Sequence, residues 1–323
     1  MPRRGFLQAA VGAAALPFLA RNVSAQEYPA RPVRVIVGQA AGSSSDIIAR
    51  LVGQRLSERL GQQFVAEDRP GAGGNIATES VVRASPDGYT LLLVNSQNAI
   101  SASLYKLNFD FIRDIAPIAG VSLVPLIMEV HPGVPAKTVP EFIAYAKANP
   151  GKISMASAGI GGPQHVAGEL FKMMAGLDMV HVPYRGSTPA LVDLLAGTVQ
   201  LMFDVTPSSL PHVKAGRLRP LGVTTTKRLD VLPDVPPVSE FLPGYEAAGW
   251  IGFGAPRGTP PAIIEKLSKE IAAVVADPQM AARLTDLGGT VLPAGSPAQF
   301  GAYIDAETKK WAEVVKFAGI KLE

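Results

Sequence analysis

The 323-residue chain contains no cysteine. That excludes a disulfide framework, thiol catalysis and cysteine-ligated metal, so the fold must be held by ordinary hydrophobic cores. Histidine is scarce too: His131, His165, His181 and His212 are all there are. Beyond the N-terminus no apolar run approaches the ~20 residues of a membrane-spanning helix. A lasting excess of charge is also missing. The 30 basic and 27 acidic side chains give a formal charge of +3, but Arg3, Arg4 and Arg21 fall in a 25-residue leader that holds no acid. Without that leader the balance is neutral, and with it goes the basic character that would point to nucleic acid or an anionic membrane. No nucleic-acid partner is expected.

The leader itself, "MPRRGFLQAAVGAAALPFLARNVSAQ", reads as an export signal. Arg3 and Arg4 form a twin-arginine pair before Phe6 and Leu7, a small apolar stretch follows, and Val23-Ser24-Ala25 is a small-residue cleavage site. Its apolar core of about 14 residues is too short for a membrane anchor, and Pro17 interrupts it. Residues 1–25 are therefore expected to be a twin-arginine-type signal cleaved near Ala25. The remaining ~298 residues suit two domains.

Strand-like and helix-like runs alternate almost throughout, the pattern of a mainly parallel sheet covered by helices. Val33–Val37 is a β-branched strand, and Ile47, Ile48, Leu51, Val52, Leu56 and Leu60 share one helical face that stops at Gly61. Comparable β, loop, α units recur to Val94 and again from Ile153 to Phe203. Thr138-Val139-Pro140-Glu141 is a capping box with proline in the first turn. Amphipathic helices close the chain, and they more naturally complete the first domain than form a third. This implies two crossings, near residues 125–130 and 246–252. The expected division is 26–127 plus 248–323 for domain 1 and 128–247 for domain 2.

In open α/β sheets, ligands bind beyond the carboxyl ends of strands, where loops enter helix N-termini and unpaired N–H groups favour an anion. One such loop is Gln39-Ala40-Ala41-Gly42-Ser43-Ser44-Ser45-Asp46. Its small residues let the backbone approach a ligand and its serines add hydroxyl donors. One serine or Asp46 capping the helix accounts for part of this composition, not all of it. A second such loop is Ser157-Ala158-Gly159-Ile160-Gly161-Gly162, followed by Pro163 at a helix start. One loop per domain could clamp the two ends of a diacid.

Rival chemistries are weaker. "GAGGNI", "GIGGPQ" and "GFGAPR" each lack the third glycine of a dinucleotide fingerprint, and there is no phosphate-binding G-x-x-x-x-G-K-[ST]. Ser157 lacks the first glycine of a nucleophile elbow. A triad of Ser157, His165 and Asp204 has no spacing argument behind it. His165 with Glu169 is an i, i+4 pair without the H-E-x-x-H pattern, so no metal is expected, and no cofactor. Met173, Met174 and Met179 read as core. Arg185 before a helix could clamp a carboxylate or form an ion pair.

With these loops in view, the chain resembles the substrate-binding proteins of tripartite tricarboxylate transporters, the Bug-type periplasmic receptors. The likeness runs from Tyr28 to Glu323 and rests on "YPARPVRVIVG", "QAAGSSSDIIAR", "EDRPGAGGNIATESVVRASPDGYTLLL", "ASAGIGGPQHVAGELF", "VPYRGSTPALVDLLAGTVQLMFD", "GRLRPLGVTTTKRLDVLPDVPPVSE" and "WIGFGAPRGTP". It implies a two-lobed type II binding-protein fold, each lobe a mainly parallel sheet flanked by helices. It further implies a monomer in the periplasm that closes on a small carboxylate and delivers it to integral membrane transporter subunits. Where the family's first loop reads like P-x-G-G-x-x-D, this chain has Gln39 to Asp46. The resemblance also turns Ser96, the loop from Ser157 to Gly162 and Asp204 toward the cleft, and His165 joins the candidates beside that loop. Neither loop carries a cluster of basic residues, so a dicarboxylate, aliphatic or aromatic, fits better than a tricarboxylate. An exported hydrolase, or docking of the loaded protein on a sensor kinase, is the alternative.

Overall fold

The computed structural model describes residues 28–292 and 295–321. The export-signal reading of residues 1–25 lies outside the described residues. In chain order the first half comprises β1 (Val33–Val37), α1 (Ser44–Leu60), β2 (Phe64–Asp68), a 3₁₀ turn (Ala72–Gly74), α2 (Asn75–Val82), β3 (Thr90–Asn95), α3 (Ser96–Leu104), α4 (Phe111–Asp114) and β4 (Ile115–Val124). Then follow β5 (Leu126–Val130), α5 (Val139–Ala148), β6 (Ser154–Ser157), α6 (Pro163–Ala175), β7 (Val180–Pro183), α7 (Ser187–Ala196), β8 (Leu201–Val205), α8 (Thr206–Lys214) and β9 (Arg219–Val223). The chain ends with β10 (Gly249–Pro256), α9 (Pro261–Val275), α10 (Pro278–Asp286), β11 (Thr290–Val291) and α11 (Pro297–Ala318).

The strands form two sheets, a six-stranded one in the order β11-β4-β10-β3-β1-β2 and a five-stranded one in the order β7-β6-β8-β5-β9. The chain leaves the first sheet at Val124, crosses at Pro125 and enters the second at Leu126; it returns before Gly249. Both sheets are mixed. β1, β2 and β3 pair parallel, while β10 runs antiparallel between β3 and β4. β6, β7 and β8 pair parallel, while β5 runs antiparallel between β8 and β9. The reversed inner strand of each sheet is the one that has just arrived from the other lobe. A strand that enters from the cleft must run away from it, whereas strands that feed the site loops run toward it. The β, α, β crossovers set the parallel pairs, and the crossings set the antiparallel ones.

Local rules explain the elements that frame the site. Helix α1 starts where the Ser43 side chain accepts from Asp46 N and stops at Gly61, which takes the left-handed conformation (φ 70°) and donates to Ser57 O. Its Ile48, Val52 and Leu56 are buried against the β1 face with Val33, Val35 and Val37. In the second lobe, rings of Phe171, Phe203 and Tyr245 pack with centroids 5.6 to 6.3 Å apart. Fully burying each such side chain contributes roughly 1.5–3 kcal/mol. Helix α11 ties the lobes together: it packs on α3 and β4 of the first and on α6 of the second. Its Trp311 is buried and donates from Nε1 to Glu307, which also pairs with Lys310. A Cβ at Gly252 would collide with Phe300 of α11, so glycine there lets the helix sit directly on β10.

Candidate functional site

A cleft of about 840 Å³ lies between the lobes, bounded at its floor by the crossing residues Val124, Leu126, Gly249, Trp250 and Ile251. Its walls are helix starts. Ser43, Gly74 and Asn95, which precede α1, α2 and α3, line it from the first lobe; Gly162, Gly186 and Val205, which precede α6, α7 and α8, line it from the second. Each helix brings first-turn N–H groups that have no acceptor in the helix itself. No Lys, Arg, His, Asp or Glu is among the described residues lining the cleft. What the cleft offers an anion is therefore peptide dipoles, worth about 0.3–1 kcal/mol per exposed helix end and more when partly buried.

The two walls differ. In the first lobe α1 and α3 are capped by side chains, Ser43 on Asp46 N at 3.3 Å and Asn95 on Gln97 N at 3.0 Å. In the second lobe Gly162, Gly186 and Val205 offer no side-chain cap. At the α6 and α7 starts no side chain takes the first-turn amides, whereas at α8 Thr206 N donates to Pro125 O. Gly186 (φ 116°) uses its own N–H on Ala158 O, drawing the α7 start against the Ala158 loop, and only glycine takes that conformation without strain.

Of the sequence candidates, Gln39, Ala40, Ser43, Ser44, Ser45, Ser96, Ala158, Gly159 and Gly162 line the cleft. Ala41, Gly42, Asp46, Ser157, Gly161, His165 and Asp204 do not; Ala41 and Gly42 are exposed outside it, and the other five are buried behind the loops. Asp46 is buried, accepts from Gly42 N at 2.8 Å and pairs with Arg50 at 2.5 Å, which fixes the turn into α1. His165 accepts from Gly161 N at 3.0 Å through Nδ1, so its Nε2 faces Glu169 at 3.6 Å. Glu169 in turn pairs with Lys172 at 2.9 Å. Burial opposes ionisation of Glu169, but the hydrogen bonds from His165 and Lys172 outweigh it and hold the carboxyl below its ordinary value. The pair is a brace for the glycine loop.

Ser157 is fully buried, with Oγ 2.6 Å from His181 Nε2 and accepting from Gly159 N at 3.2 Å. The His181 ring stacks on His165 with centroids 3.5 Å apart. Burial first, and the neighbouring His165 second, push His181 down to about 4. Asp204 is fully buried and accepts from Ser187 Oγ at 2.7 Å, Ser208 Oγ at 2.5 Å, Ser209 Oγ at 3.2 Å and Gln164 Nε2 at 3.5 Å. Ser157, His165 and Asp204 thus have separate partners and do not form a triad. Behind Asp204, Ser209 Oγ also lies 2.5 Å from Glu129 Oε1, and burial pushes that carboxyl up to about 8.

Sequence reasoning missed Gly71, Gly73 and Gly74, Asn95, Gln97, Tyr105, Gln164, Gly186 and Trp250 in the lining. The signal for the first three was present: "RPGAGGN" also follows a strand and opens a helix. Gln97 and Tyr105 belong to α3 and its end, a polar helix with little periodicity.

The comparisons with known proteins agree with this geometry. Residues 48–320 match the family of tripartite tricarboxylate transporter family receptors, and the chain belongs to that family. Among curated relatives, protein BugT of Bordetella pertussis is 35% identical over 309 residues, covering 94% of each chain. A protein from a tcbD-tcbE intergenic region of Pseudomonas sp. strain P51 is 35% identical over 291 residues, 89% of this chain and 86% of that one. Among solved structures, R. palustris Rpa4515 with adipate is 36% identical with a TM-score of 0.77, covering 91% of this chain and 99% of that one. MatC from Rhodopseudomonas palustris with bound malate is 31% identical with a TM-score of 0.74, covering 89% and 100%. The family is one of solute-binding receptors, and the two-lobed α/β fold is theirs.

Proposed function

We propose that this protein captures a small carboxylate, most naturally a dicarboxylate, between its lobes and hands it to integral membrane subunits of a tripartite tricarboxylate-type transporter. It works as a monomer in the periplasm after loss of its leader, and it performs no chemistry on the ligand. The observation that carries the reading is the convergence of six helix N-termini on one cleft with no charged side chain among the described residues of its lining. Such a wall suits an anion, and amide donors on both lobes suit a ligand with an acid group at each end. The adipate and malate held by its structural neighbours support the same class.

Neither Ser157 nor His181 lines the cleft, so their 2.6 Å contact does not put an activated hydroxyl where the ligand would sit. Hydrogen-bond reach is the first requirement for a catalytic pair, and access to substrate is the second.

The reading is tested by thermal shift on protein refolded to strip carried-over ligand, against succinate, malate, glutarate, adipate, citrate, terephthalate, protocatechuate and nicotinate. A ligand at 100 times its Kd stabilises by about 2.7 kcal/mol, a shift of a few degrees. One diacid should give that shift. A flat panel would remove the carboxylate reading.

A further inference from the structure

The lining holds an acceptor where an anion site needs only donors. Gln164 is 92% buried (8% exposed) and follows Pro163 in the first turn of α6. Its Nε2 faces Ser187 Oγ at 3.3 Å and Asp204 Oδ1 at 3.5 Å. Asp204 receives Ser187, Ser208 and Ser209 as donors, so the group turned toward it must itself be a donor. This fixes the amide orientation: Oε1 points the other way. Oε1 has no hydrogen-bond partner among the described residues, is not among the fully buried orphan atoms, and stands 3.6 Å from where a Cβ would sit on the cleft-lining Gly162. Across the cleft the opposite assignment holds. Gln39 Oε1 accepts from Asn95 Nδ2 at 2.8 Å, which leaves Gln39 Nε2 as a donor beside Gly74.

We infer that Gln164 makes the cleft select a dicarboxylate bearing a hydroxyl or amino group next to one acid, and that Asp204 is the residue that holds Gln164 in the selecting orientation. A carboxylate oxygen placed against Oε1 would be repelled, whereas an O–H or N–H donor there satisfies an acceptor that the bound ligand cuts off from water. Leaving that acceptor unmet costs more than the hydrogen bond gains, which is why sites built around a substrate hydroxyl reject the analogue without one. The inference rests on the carboxylate reading and narrows it. The family neighbours hold both a substituted diacid and an unsubstituted one, so the choice belongs to this chain's own residues.

The test is calorimetric titration of ligand-stripped protein with two matched sets, succinate, malate and aspartate, then glutarate, 2-hydroxyglutarate and glutamate. In at least one set a substituted acid is expected to bind at least tenfold more tightly than the plain one. Gln164→Leu should bring that ratio to about one by weakening the substituted acid and sparing the plain one. Asp204→Asn should also lower the ratio, because an asparagine can present its amide to Gln164 as donor or acceptor and releases the fixed orientation; it supplies a second variant if Gln164→Leu folds poorly. Plain acids binding as tightly as substituted ones in the unaltered protein would overturn the inference and leave the carboxylate reading standing. An unchanged ratio in a folded Gln164→Leu would do the same. No binding by any of the six acids would remove the carboxylate reading for C4 and C5 diacids, and the inference with it.

Discussion

The Nε2 of Gln97, at the start of α3 in the first lobe, lies 3.3 Å from the carbonyl oxygen of Gly161 in the second. The same nitrogen also reaches Ser101 Oγ at 3.2 Å, so the side chain is steadied by its own helix while it spans the gap. A Cβ on Gly161 would strike Leu104 of α3, which shows how closely the two lobes meet at this point. The contact bridges the two lobes and so acts as a latch between them.

Removing that latch should therefore act on binding and not on folding. Gln97→Ala is expected to weaken ligand affinity about fivefold, the equivalent of one neutral hydrogen bond of ~1 kcal/mol, chiefly through faster dissociation. Stopped-flow release and a melting curve check it together. A variant that melts several degrees lower with unchanged release would place Gln97 in folding instead.

The three serines of the first loop should separate by role. Ser43 caps α1, whereas Ser44 is exposed on the cleft wall. Ser43→Ala should cost about 1 kcal/mol of stability, a few degrees of Tm. Ser44→Ala should leave Tm in place and shift only the Kd.

Glu129 gives a pH signature. Its carboxyl has an ordinary value of 4.5 and is pushed up to about 8 by burial, with Ser209 opposing and Asp204 adding to the rise. Between those values the unfolded chain is ionised and the folded chain keeps its proton, so stability falls as pH rises through the window, on the order of 1.4 kcal/mol per pH unit at the steepest. Glu129→Gln keeps the shape without the charge. It should raise Tm at pH 8, change it little at pH 4, and flatten the profile between. An unchanged profile would mean Glu129 is ionised in the folded protein.

His181 acts with the opposite sign. Its ring falls from an ordinary value of 6.5 to about 4, through burial first and His165 second, with Glu169 opposing. Between 6.5 and 4 the unfolded chain takes up a proton that the folded chain refuses, so stability drops as pH falls through that range. His181→Asn should lessen that acid sensitivity in thermal melts from pH 7 to pH 4. An equally steep loss would assign it to other groups.

Much of the fold was legible because periodicity and caps are local. The strand at Val33, the α1 face ending at Gly61, and the proline starts of α5, α6 and α11 follow from neighbouring residues alone. Helices α3 and α8 did not: "SQNAISASL" is polar with a weak apolar face, and "TPSSLPHVK" holds two prolines, so tertiary packing decides them. The reversed strands β5 and β10 were hidden for a related reason, since direction in a sheet depends on where a strand comes from. At the site, sequence located both loops but could not sort lining from support. Asp204 and His165 carry the chemistry of a site and stand one layer behind it, while Gln164, an unremarked amide beside Pro163, faces the cleft.

The central claim is that the inter-lobe cleft holds one small carboxylate on helix N-termini. Isothermal titration of ligand-stripped protein with C4 to C8 dicarboxylates tests it most directly, with the recovered acid analysed for turnover. The account predicts saturable binding of one acid per chain for at least one member of the series, and recovery of that acid unchanged. Absence of binding across the series, or conversion of the acid to product, would contradict it.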